Sequence, residues 1–184
     1  MPHRLFIAID LPLDVKGRLA RLVRDAPDGV KPVRAEQIHL TLHFLGEVAD
    51  ESLERLFPAL GSVQGAGFTV DLAGGGCFPS PRRPTVLWVG VRPNEPLREL
   101  HDAVADGLHG CGLPTETRPF TPHVTVARVS RRLPRGWLEA FLHAAAGFAV
   151  EAVPVTAFTL FSSQRGESGS LHVPLRHYPL ASPT

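Results

Sequence analysis

The chain has 184 residues, 43% of them apolar and 20% charged. That is enough apolar surface for a packed core and argues against a disordered chain. Nineteen basic against 18 acidic residues leave a net charge of +1, which excludes a polybasic nucleic-acid binder of the histone kind.

Arg4–Asp10 reads as a buried strand, with Leu5, Phe6, Ile7 and Ile9, and is too short for a signal-peptide core. Pro12 and Asp14 open a helix that carries Val15, Leu19, Leu22 and Val23, and 29–36 is polar and turn-like. Residues 38–45 alternate: Ile38, Leu40, Leu42 and Phe44 on one face, His39, Thr41 and His43 on the other. Asp50 is the expected N-cap of a helix with Leu53, Leu56, Phe57 and Leu60. Strands follow at 68–72 and 85–91, joined by a rigid basic link that holds Gly74–Gly76, Arg82 and Arg83.

Asn94 is placed to cap a third helix that buries Leu97, Leu100, Val104 and Leu108. Residues 121–129 alternate again, with Val124 and Val126 on one face and His123, Thr125 and Ala127 on the other. A helix near 137–146 and strands near 155–162 and 171–180 complete the chain. The order predicts an α+β fold in one domain, 1–184, with no linker.

Several chemistries find no support. Cys77 and Cys111 form no Cys-x-x-Cys pair and are expected to be small buried thiols in a reducing, cytoplasmic setting. Gly74–Gly76 lacks the Lys-Ser/Thr of a phosphate loop and reads as a turn or strand irregularity. No apolar run reaches 18 residues, and no His-Glu-x-x-His pattern occurs, so neither a membrane span nor a metal or other cofactor is expected.

The informative feature is an internal repeat. His39-Leu40-Thr41-Leu42 recurs as His123-Val124-Thr125-Val126, 84 residues on, each time after a strand–helix passage. The offset suggests two similar lobes about a pseudo-two-fold axis, with the two strands facing one another across a groove. On each strand His and Thr share a face, about 6.5–7 Å apart, while their apolar neighbours anchor the core. An imidazole exchanges protons near neutral pH, and a threonine hydroxyl donates to a phosphate oxygen. Two such units around one phosphate form a general acid–base pair that requires no metal.

These residues give the chain its resemblance to the RNA 2′,3′-cyclic phosphodiesterases, also known as 2′–5′ RNA ligases, of the two-histidine phosphoesterase superfamily. The resemblance runs from Arg4-Leu5-Phe6-Ile7-Ala8-Ile9-Asp10-Leu11-Pro12 through both motifs, Phe78-Pro79 and Arg82–Gly90, to Tyr178-Pro179-Leu180. It implies two pseudo-symmetric lobes, each an antiparallel sheet with outer helices, around a central catalytic groove. It implies opening of RNA 2′,3′-cyclic phosphate ends to 2′-phosphomonoesters, and reversible 2′–5′ ligation with cleaved tRNA halves. His39 and His123 carry over as the acid–base pair, and Thr41 and Thr125 as phosphate donors. The expected polarity is His123 as base toward water and His39 as acid toward the departing 3′ oxygen. The family commonly has Lys or Arg where His43 stands and Tyr where His172 stands.

Arg128 and His43 are the further substrate-binding candidates, Arg128 because it follows the second motif and His43 because it shares a face with His39 and Thr41. Phe44 is assigned to the core, and Phe78 and Phe120 are open between packing and base stacking. Five arginines and no acid between Arg118 and Arg135 form a local basic excess able to steer RNA, and Arg82 and Arg83 are candidate backbone contacts. The expected partner is RNA with a cyclic end, bound by a monomer. Two other functions compete: a non-catalytic RNA-end-binding module, and an esterase for another cyclic phosphate.

Overall fold

The computed structural model describes residues 3–166 and 169–182. The described residues form strands β1 (His3–Asp10), β2 (Val30–Pro32), β3 (His39–Val48), β4 (Phe68–Phe78), β5 (Val86–Val91), β6 (His123–Val129), β7 (Ala149–Val155), β8 (Ala157–Gly166) and β9 (Gly169–Pro179). They also form helices α1 (Leu13–Arg21), α2 (Asp50–Gly61), α3 (Glu95–Gly110) and α4 (Arg135–Ala146). None of these helices is long and apolar enough to cross a membrane.

Each apolar stripe read from the sequence goes inward: Val15 and Leu19 on α1, Leu56 and Leu60 on α2, Leu97, Leu100, Val104 and Leu108 on α3. Asn94 caps α3 by accepting the Leu97 N–H at 3.0 Å. The α2 start is corrected by one residue. Ala49 is the N-cap, and Asp50 is the first helical residue, where its carboxylate still meets the positive helix end. The strand expected near 155–162 is β8; β7 is a further strand that the sequence reading did not give, and β2 lies inside the stretch read as turn-like.

All nine strands make one antiparallel sheet in the order β7-β4-β5-β6-β3-β1-β8-β9, with β2 on β6. The two pseudo-symmetric halves are β6-β5-β4-β7 and β3-β1-β8-β9. They are joined as well as opposed, because β3 pairs with β6 at Leu40↔Val124. The repeat is visible in the chain path: β1–α1–β3–α2–β4 matches β5–α3–β6–α4–β8. In each unit the last strand crosses over, so β4 lies beside β5 and β8 beside β1.

Both motif strands carry a bulge directly after the motif. Ala8 pairs with Thr41 but Ile7 with His43, so Leu42 is extra. Trp88 pairs with Thr125 but Leu87 with Ala127, so Val126 is extra. A bulge places one more residue on the same side and reverses the alternation beyond it. Leu42 and His43 are therefore both buried, as are Val126 and Ala127, while Phe44 and Arg128 turn outward.

Gly74–Gly76 is a strand irregularity inside β4, where the register with β5 shifts between Leu72 and Gly75. A Cβ on Gly75 would stand 2.5 Å from the Trp88 carbonyl oxygen and 2.8 Å from the Ala145 Cβ of α4. A Cβ on Gly76 would stand 2.8 Å from the Trp88 ring. Only glycine lets the indole and α4 close on opposite sides of β4.

Gly75→Ala is expected to lower stability by about 1–3 kcal/mol, since backbone and helix must both shift. Gly17→Ala, within α1 and with nothing near its added methyl, is expected to raise stability by about 0.5–1 kcal/mol. Urea unfolding of both variants tests the pair, and equal effects would contradict this packing.

Candidate active site

Leu40 and Val124 are fully buried on the core side of the junction between the halves. Their sequence neighbours point to the other face. Carrying the Leu40↔Val124 register one residue to either side sets Thr41 across from His123 and His39 across from Thr125. Four polar side chains thus form a two-by-two block, with the histidines on its diagonal, about 7–8 Å apart at their backbones. The motif residues His39, Thr41, His123 and Thr125 come together, each partly buried.

The two imidazoles are held alike. His39 Nδ1–H donates to the Gln37 carbonyl at 2.7 Å. His123 Nδ1–H donates to the Thr121 carbonyl, also at 2.7 Å. A carbonyl can only accept, so the proton stays on Nδ1 and each neutral ring keeps Nε2 as its lone-pair nitrogen. No sequence signal marks these acceptors, because any residue supplies a backbone carbonyl.

Aromatic rings brace each histidine. Around His39 stand Phe6 at 4.8 Å between ring centres, His172 edge-on at 5.1 Å and Phe161 at 6.2 Å. Around His123 stand Phe78 edge-on at 5.0 Å and Trp88 at 6.2 Å, themselves stacked at 4.9 Å. Phe78 thus packs against His123 and Trp88. Sequence reading missed Trp88, Phe6 and Phe161 in this role, although period two places Trp88 on the face opposite buried Leu87 and Val89.

Arg128 is exposed on β6 beyond the bulge, close enough to His172 of β9 for its charge to help lower that group's pKa. His43 is not in the site, contrary to the sequence expectation. The bulge at Leu42 turns it inward to 3% exposure, where Nε2–H donates to the His101 carbonyl at 2.8 Å. Its ring stacks on His101 at 4.1 Å, and His101 stacks on Phe120 at 4.0 Å. This column links β3 to the segment that holds the Thr121 carbonyl. Phe44, expected in the core, is 51% exposed for the same reason.

The environment of His39 is the most perturbed. Burial lowers its pKa from 6.5 to about 4; the Gln37 hydrogen bond opposes this, His172 adds to it, Asp10 opposes it and Lys16 adds to it. Lys16 is a buried cation, 4% exposed, tied to Asp10 at 2.6 Å and to the Glu36 carbonyl at 3.2 Å. It thereby pins the short turn that supplies the Gln37 acceptor. Burial also lowers His172 and His43. Among the described residues no group of three His, Cys, Asp or Glu side chains is placed to hold a metal ion.

The 2′-5′ RNA ligase superfamily model matches residues 11–167, and the chain belongs to that superfamily. An RNA 2′,3′-cyclic phosphodiesterase of Escherichia coli is 33% identical over 182 residues, 97% of each chain. One of Aeropyrum pernix is 38% identical over 173 residues, 90% of this chain and 97% of its own. The crystal structure of Escherichia coli LigT complexed with 3′-AMP matches with a TM-score of 0.78 at 30% identity, covering 98% of this chain and 99% of that one.

The His39 shift has a stability consequence. Between about pH 6.5 and 4 the unfolded chain holds a proton at His39 that the folded protein does not, so stability falls as pH falls through that window. The loss is at most about 3 kcal/mol from this group. His39→Asn is expected to lose less stability than the parent between pH 7 and 4.5 in urea titrations. An equal loss would show that the folded protein does not hold this ring neutral.

Proposed function

We propose that the chain hydrolyses RNA 2′,3′-cyclic phosphate ends to 2′-phosphomonoesters, with His39 and His123 as the acid–base pair. The observation that carries this reading is the matched Nδ1–H to carbonyl bond on both imidazoles. That bond fixes a tautomer and aims Nε2, which proton transfer needs and mere grip on an RNA end does not. It favours the enzyme over a non-catalytic binding module. The relatives named as RNA 2′,3′-cyclic phosphodiesterases support the substrate class.

In the proposed step His123 Nε2 takes a proton from water as its oxygen attacks phosphorus. His39 gives its Nε2 proton to the 3′ oxygen as the 3′ O–P bond breaks, leaving the phosphate on the 2′ oxygen. Burial makes the His39 imidazolium a strong acid, and the substrate anion supplies the counter-charge under which it takes up that proton. Thr41 and Thr125 donate to non-bridging oxygens, where charge accumulates. Arg128 adds a cation at the groove edge. The proposed route uses no metal, and the same step with a 5′-hydroxyl end in place of water as nucleophile, the 3′ O–P bond again breaking, is the 2′–5′ ligation.

His39→Ala and His123→Ala are each expected to lower hydrolysis of a nucleoside 2′,3′-cyclic phosphate by at least about 10³-fold, more than one acid or base usually contributes alone, because the pair acts as a unit. The parent is expected to stay active in EDTA. A substrate with sulfur in place of the 3′ oxygen releases a thiolate that needs no proton, so it should restore His39→Ala far more than His123→Ala. Rescue of His123→Ala instead would reverse the two roles. The kcat/KM profile should be bell-shaped with one limb near pH 4 from His39. Full activity in the double alanine variant would refute the site.

A further inference from the structure

Basic stretches far apart in the chain meet at one end of the sheet. Arg128 on β6 lies between Val86 of β5 and Lys31 of β2. Just before Val86 comes the loop with Arg82 and Arg83, and the Thr85 carbonyl accepts the Val129 N–H at 2.9 Å. Just after Val129 the chain turns through Arg131 and Arg132, and the Ser130 N–H donates to the Gly29 carbonyl at 2.8 Å. Both loops therefore flank the same strand ends.

Arg82, Arg83, Arg128, Arg131 and Arg132 are all exposed. Among the described residues none of them has a carboxylate partner. Five other arginines are ion-paired, Arg34 with Glu36, Arg92 with Asp71 and Glu151, Arg98 with Glu95, Arg118 with Glu116 and Arg135 with Glu139, whereas among the described residues Arg4, Arg21, Arg24 and Arg55 are unpaired but scattered along the chain. The basic run read from Arg118 to Arg135 thus retains three unpaired cations, and the loop before β5 adds two. An unpaired cluster of one sign keeps its field and attracts a polyanion.

The opposite end of the groove carries mixed charge, with Glu47 across from Arg4 of β1. From the junction at Leu40↔Val124, β3 and β6 run apart in opposite directions. At the repeat spacing of 84, Glu47 corresponds to Arg131 and Glu51 to Arg135, and both acids are exposed. Phe44 likewise corresponds to Arg128. The backbone keeps its two-fold symmetry while the charge at these positions reverses.

We infer that the body of the RNA leaves the histidine pair along β6 toward Arg82, Arg83, Arg131 and Arg132, and away from Glu47 and Glu51. This rests on the reading of the site as acting on RNA ends. Thr125 stands across from His39, and from there the end of β6 at Val129 is about 13 Å along the strand, so Arg128 sits at the margin of the site and the loops past the strand end lie beyond the reach of a mononucleotide and within that of a short oligonucleotide. The four arginines therefore serve long substrates only.

The test combines Arg82→Ala, Arg83→Ala, Arg131→Ala and Arg132→Ala in one variant. Its kcat/KM for an oligoribonucleotide with a 2′,3′-cyclic end is expected to fall about tenfold or more in 0.1 M salt. Its kcat/KM for a nucleoside 2′,3′-cyclic phosphate should stay within about twofold. In oligonucleotide binding followed by fluorescence anisotropy, the log–log salt slope should flatten by up to about 3, near 0.7 per lost phosphate contact. Glu47→Ala with Glu51→Ala should lower neither rate. An equal fall on both substrates, an unchanged oligonucleotide rate, or a fall in the glutamate variant would overturn the inference. If the parent turns over neither substrate, the proposed activity fails, and the salt slope alone decides the RNA path: an unchanged slope rejects it.

Discussion

The pairing of Leu40 with Val124 is the constraint on which the site depends. It is the seam between two four-stranded halves, made of two fully buried aliphatic side chains. Each such burial is worth about 1.5–3 kcal/mol. Because side chains alternate along a strand, packing these two inward obliges His39, Thr41, His123 and Thr125 to turn outward together. The crossover of β4 and β8 into the opposite halves holds the seam against hinging, since neither half is complete without a strand from the other repeat.

Around this seam the two-fold symmetry is kept in the backbone and broken in chemistry. Both histidines rest on a carbonyl two residues back, and both motifs end in a bulge. Beyond that they differ. His39 sits among Phe6, Phe161 and His172 beside the buried Lys16–Asp10 pair, whereas His123 leans on Phe78 and Trp88. A reaction with a distinct attacking and leaving oxygen needs two unlike proton-transfer groups, and asymmetric surroundings supply the difference. The charge reversal between Arg131 and Glu47 extends that asymmetry along the groove.

The element pattern was legible because period-two and helical stripes report burial directly. The β3 alternation placed Leu40 and Leu42 inward, and Asn94 marked the start of α3. The misplaced residues His43, Phe44 and Ala127 share one cause. Strict alternation was extended past Leu42 and Val126, where a bulge adds a residue. Nothing in His-Leu-Thr-Leu-His-Phe announces that bulge, because it arises from pairing with β1, far away in sequence. The strand at Val155–Ser162 is β8, whereas β7 was not read as a strand, because Glu151 and Pro154 interrupt its apolar pattern and its pairing with β4 is what defines it.

By itself the sequence determined the repeat, the chemistry-bearing His and Thr pairs, the antiparallel α+β character and the family resemblance, since each is written in residue type and spacing. Tertiary structure alone decided which residues beyond the motifs belong to the site. It buried His43, exposed Phe44, brought Trp88 and His172 to the histidines, and joined Arg82 and Arg83 to Arg131 and Arg132. The physical reason is that a strand's own pattern says which residues share a face, while bulges and neighbours, set by distant partners, say what that face meets.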